Sequence, residues 1–176
     1  KALKQIDLLK EYVSIRLLYK KITNILYSPQ YNQNSEAALK KILVEEIENK
    51  ELKDIENIAT KYYYLQCKSV IYSNIGKDVL ERITLLEQLL VVAYLAMEKG
   101  IFKQGEQWVA LVNLAGLYTD TANTEKFYQT IEKLDADPNA EIKLISENNH
   151  ESEVLILPTE VFKNDFKDSV VSFSNY

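Results

Sequence analysis

Few residues in this chain are of a type that could do chemistry, and their spacing limits what they could do. His150 is the only histidine, so a Ser-His-Asp arrangement or an imidazole-held metal would have to use it. It lies in Glu147–Ser152, a polar run that reads as an exposed turn. Cys67 is the only cysteine, which excludes an internal disulfide and a cysteine-based zinc site. Lys68 beside it could lower the thiol pKa, but a lone helical cysteine reads first as a small packing residue. Glu45, Glu46 and Glu48 could be imagined as a di-metal cluster; the Glu-x-x-His that such a site needs is missing, and they read as a solvated face. Glycines at 76, 100, 105 and 116 are too scattered for a phosphate loop. With no usable set of His, Cys, Asp or Glu, the chain is expected to be non-enzymatic and to need no metal or cofactor.

Residues suited to binding are more plentiful. Asn113 sits among apolar neighbours in Trp108–Tyr118, where a buried amide is costly unless it finds a partner. Gln66 on the third helix invites the same reading. Both could bond a ligand backbone, or only a neighbouring helix or water. There are 12 tyrosines. Tyr62, Tyr63 and Tyr64 cover more than half of a helical turn, so at least one must leave the core face. Exposed tyrosines suit a binding surface, because they bury a large ring and keep one polar tip. The partner-binding set is therefore expected among Asn113, Gln66, Tyr62, Tyr63, Tyr94 and Tyr118.

The elements that would carry these residues are helices. Leu3, Ile6, Leu9, Val13, Leu17 and Ile22 recur at helical spacing in Ala2–Tyr27, and Pro29 stops that helix. Ser35 is a suitable N-cap for a second helix reaching about Glu48. A third runs from about Leu52 to Asn74 and ends at Gly76. Asp78, with Glu81 three residues on, starts a fourth. It is apolar on almost every side from Ile83 to Met97, which predicts a central position with neighbours on several sides. Gly100 stops it. A fifth helix is expected over about Lys103–Thr119, and a sixth from Thr124. After Pro138 the pattern weakens: Ile142, Leu144, Val154 and Ile156 fit a hairpin, and a short helix from Pro138 fits as well. Thr159 could cap a last helix.

Composition narrows the class. At 176 residues, 47% apolar and 27% charged, the chain has the make-up of a soluble globular protein. A helical body over residues 1–137 and a C-terminal extension over 138–176 are expected. Gly at 4 and Pro at 3 are few, which favours long helices over turn-rich sheet. Net charge is −5 and the only arginines are Arg16 and Arg82, so no basic patch for nucleic acid is expected. No apolar run reaches the ~18 residues of a membrane span. The lone cysteine fits a reducing, cytoplasmic setting. A chain opening on Lys with no signal-like start is expected to be a piece of a longer or processed protein.

Short connections between the fourth, fifth and sixth helices predict antiparallel neighbours. Leu111, Leu114, Ala115, Tyr118, Phe127, Ile131, Leu134 and the closing Pro138 resemble one tetratricopeptide unit. Phe127 stands where a small residue is usual, and the proline comes one residue early. The expected fold is thus all-α: antiparallel helix pairs stacked as a short tetratricopeptide-like solenoid or bundle. The resemblance implies a concave groove that binds a peptide or protein, as in the helical-repeat sensor domains of bacterial regulators. The alternative is a structural bundle that mediates homo-oligomerisation or complex formation.

Overall fold

The computed structural model describes residues 2–103, 106–135, 141–145 and 154–158. Gly105, Pro138, His150 and the segment from Thr159 lie outside them. The fold is all-α, built from packed neighbouring helices. Two compact units divide the chain, Lys1–Lys103 and Gln104–Tyr176.

The first unit holds α1 (Ala2–Leu26), α2 (Gln33–Ile42), α3 (Ile58–Asn74) and α4 (Val79–Glu98). In the second, α5 (Glu106–Asp120) packs on α6 (Thr124–Asp135). Strands β1 (Glu141–Ile145) and β2 (Val154–Pro158) pair antiparallel, Lys143 opposite Ile156.

Asparagines start three of these helices. Asn32 Oδ1 accepts from the Asn34 and Ser35 N–H groups, and Ser35 Oγ accepts from the Asn32 N–H. Ser35, expected as the cap, is therefore the reciprocal partner one turn in. Asn57 caps α3 through the Thr60 N–H at 3.0 Å. Asn123 accepts from Lys126 N–H at 3.2 Å, one residue ahead of the expected Thr124. Gly76 and Gly100, at φ +70° and +67°, end α3 and α4 in the left-handed region, which glycine enters without a Cβ penalty.

The centre of the first unit is α3, not α4. It packs against α1, α2 and α4 together, and it buries Tyr62, Tyr64, Leu65, Cys67 and Ile71. Only part of the circumference of α4 is covered. Ile83, Leu86, Leu89 and Ala93 are buried, but Leu80 and Val91 are each 67% exposed. Hydropathy predicts a central helix with neighbours on several sides; α3 is the helix it packs on, and the open row follows Leu80, Thr84, Gln88, Val91 and Leu95, whose polar members are the trace of it in the sequence.

A single π-helical turn, Leu43–Ile47, ends α2. The Tyr64 hydroxyl fastens it, sitting on the carbonyls of Ile47 and Lys50. Tyr64→Phe removes that donor and should cost about 1–2 kcal/mol. Urea unfolding followed by circular dichroism reads it; an unchanged midpoint would show that the turn is held by its backbone bonds alone.

Candidate functional site

Two helix rows meet where α1 crosses α3. Tyr12, Arg16 and Tyr19 follow one another at i, i+4 and i+7 on α1, so they share a face. Tyr63 and Gln66 stand one turn apart on α3. The Tyr63 ring is the junction: its centroid lies 6.0 Å from Tyr12, 6.1 Å from Tyr19 and 6.1 Å from Phe102. Gln66 Nε2 donates to the Tyr19 hydroxyl at 3.4 Å. Beneath the junction, the fully buried Tyr62 packs edge-on against Phe102 at 4.8 Å and Tyr63 at 5.2 Å.

Arg16 caps this cluster. Its guanidinium carbon lies 4.3 Å over the Tyr63 ring, a cation–π geometry. The residue is exposed, and among the described residues no carboxylate pairs with it. Tyr12, Tyr19, Tyr63, Gln66 and Phe102 are all half-buried, with packed rings and edges still open to water. Such a patch offers an anion-seeking fork beside aromatic area that is already ordered.

The residues expected from sequence to bind a partner do not converge here as a set. Tyr63 and Gln66 belong to the cluster. Tyr62 is core. Tyr94 is partly exposed on the outer side of α4. Asn113 and Tyr118 belong to the second unit. Tyr118 is buried, with the Lys126 ammonium 5.4 Å from its ring centroid. Asn113 was expected in an apolar setting; it is exposed, and its Nδ2 donates to the Val109 carbonyl of its own helix at 2.7 Å. Sequence reasoning passed over Tyr12, Arg16, Tyr19 and Phe102. The signal for three of them was their four- and three-residue spacing on the side of α1 away from its apolar stripe.

The acidic run of Glu45, Glu46 and Glu48, on the π-helical turn and just past it, behaves as a solvated face. Glu46 pairs with Lys21 at 2.9 Å and Glu45 lies 4.0 Å from Lys41, both largely exposed. Among the described residues no group of three or more His, Cys, Asp or Glu could hold a metal ion, and no helix is long and apolar enough to cross a membrane. No family model matches the chain, and no curated protein or solved structure matches it either.

Proposed function

We propose that the chain is a non-catalytic, tetratricopeptide-like helical module that binds a peptide or a partner protein, with the α1/α3 aromatic cluster as its recognition face. The observation that carries this reading is Arg16, exposed over Tyr63 with no carboxylate paired to it among the described residues. Tyrosine and arginine dominate binding energy at interfaces, because both bury area with little loss of freedom once packed. Here Tyr12, Tyr19 and Phe102 already fix the Tyr63 ring. The Arg16 fork selects a carboxylate, so an acidic or C-terminal peptide segment lying along the two rows is the fitting ligand.

A random-peptide display selection on the purified chain tests this. Selected peptides should be enriched in acidic residues. Arg16→Glu and Tyr63→Ala should each weaken them by about 30-fold, the size of a 2 kcal/mol hot spot. Asn113→Ala, whose amide is satisfied within its own helix, should bind like the parent. Equal binding by all four proteins, or selected peptides without acidic enrichment, would remove the cluster as the site.

A further inference from the structure

Glu11, Ser14 and Leu18 follow one another at i, i+3 and i+7 on α1, a face separate from the Tyr12–Arg16–Tyr19 row. That face, the π-helical turn with the residues just past it, and the start of α3 bound a hollow of about 130 Å³. Ile15, Leu18 and Ile55 form its apolar wall. Thr60 also lines it, at 2% exposure, and among the described residues its Oγ1 has no hydrogen-bond partner. The Tyr64 hydroxyl beside it is already engaged with the Ile47 and Lys50 carbonyls. A buried hydroxyl with no partner is destabilising, so it marks a place where a polar atom is missing. The charged side chains lining the hollow are Glu11, Glu46 and Lys50. Lys50 Nζ lies 3.1 Å from Glu11, and Lys21 holds Glu46 at 2.9 Å. These four charges cancel, which suits a zwitterion better than a lone ion. The Glu11–Lys50 pair is partly open to water, with side chains 27% and 53% exposed, so its ends separate at small cost.

We propose that this hollow binds a free, hydroxyl-bearing α-amino acid of about threonine's size. The Glu11 carboxylate takes the ligand's ammonium and the Lys50 ammonium takes its carboxylate, the ligand inserting into the existing ion pair. Its side chain lies against Ile15, Leu18 and Ile55, and its hydroxyl meets Thr60 Oγ1. A cavity of about 150 Å³ holds a molecule the size of benzene, so amino acids much larger than threonine are excluded. Single π-helical turns recur at functional sites, and here the turn brings Glu46 to the hollow. The site shares no residue with the α1/α3 aromatic cluster.

Isothermal calorimetry of L-threonine into the full chain tests it. L-Threonine should bind. L-Valine, the same shape without the hydroxyl, should bind about tenfold more weakly or worse, because it leaves the Thr60 hydroxyl unmet. Threoninamide, which lacks the carboxylate, should lose about as much. In Thr60→Val the preference for threonine over valine should vanish while the helical spectrum is kept. Glu11→Gln, at a part-exposed position, should weaken threonine about tenfold, and it carries the test if Thr60→Val fails to fold. No heat from any of the three compounds at millimolar concentration would overturn the proposal, since the hollow would then hold water alone. So would equal binding of threonine and valine by the parent, undiminished binding in Glu11→Gln, or threoninamide bound as tightly as threonine.

Discussion

At pH 8, iodoacetamide should alkylate Cys67 in the folded chain on the order of a thousandfold more slowly than in the urea-unfolded chain. The thiolate is the nucleophile, so the rate follows the fraction ionised. Burial on the inner face of α3 pushes the Cys67 thiol up to about 12, a rise that a backbone hydrogen bond only partly offsets. An unfolded thiol titrates near 8.5 and is roughly a quarter ionised at pH 8; a thiol at about 12 is ionised on the order of one part in ten thousand. The Lys68 ammonium lies 5.4 Å from the Tyr72 ring centroid. The slow reaction would thus report the opening of α3. A folded chain alkylated as fast as the unfolded one would mean that this inner face is accessible. Burial also raises Tyr64 and Tyr72, with Glu48 adding to both. All three groups hold their protons more tightly folded than unfolded. Their stabilisation is complete below the unfolded values, near 8.5 for the thiol and 10 for the phenols, and is lost as pH rises through the folded ones. The urea midpoint should therefore fall between pH 9 and 11, and one that rises over that interval would contradict these burials.

Helix extent was largely legible because it rests on local signals, except at the start of α3, expected near Leu52 and found at Ile58 behind the Asn57 cap. The stripe from Leu3 to Ile22 spans α1, and the two positive-φ glycines mark the ends of α3 and α4. Caps were read one to three residues late at Ser35 and Thr124. The asparagine ahead of each is an equally good acceptor, and the chain uses the earlier one. Which helix lies at the centre was not legible. Hydropathy ranks α4 first, yet burial depends on how many neighbours reach a helix, and that is a tertiary property. The third helix carries Lys61, Gln66, Lys68 and Ser69, so it looks half-polar while taking contacts from three partners. The tyrosine run shows the same division. That one of Tyr62–Tyr64 must leave the core follows from helical geometry; Tyr63 is the one least buried, because Tyr62 and Tyr64 face inward. The meeting of Tyr63 with Tyr12 and Tyr19 depends on how α1 crosses α3, for which no local pattern codes.

Tyr62→Ala and Tyr63→Ala, one residue apart, should have opposite consequences. Tyr62 is fully buried at the hub and edge-packed on Phe102. Truncating it leaves a ring-sized void between α3 and the segment after α4, and should cost about 3–5 kcal/mol. Domains of this kind are stable by only about 5–15 kcal/mol, so the variant would sit near its folding threshold. Its thermal midpoint should drop by roughly 6–20 °C, at 2–4 °C per kcal/mol for a chain of this length. Tyr63→Ala removes a half-exposed ring and should lower the midpoint far less, while weakening the selected peptide's binding by about 30-fold. Calorimetry beside a binding titration separates the two. Similar losses of stability in both variants would mean that the cluster is one packing unit and that its exposed edge has no separate role. Adding Phe102→Ala closes a double-mutant cycle. An edge-on aromatic pair contributes about 0.5–1.5 kcal/mol beyond its buried area, so the Tyr62–Phe102 coupling should fall in that range. A coupling near zero would shift the cost of Tyr62→Ala onto the rest of the hub interior, and Phe102 would then serve chiefly to hold Tyr63 in place beneath Arg16.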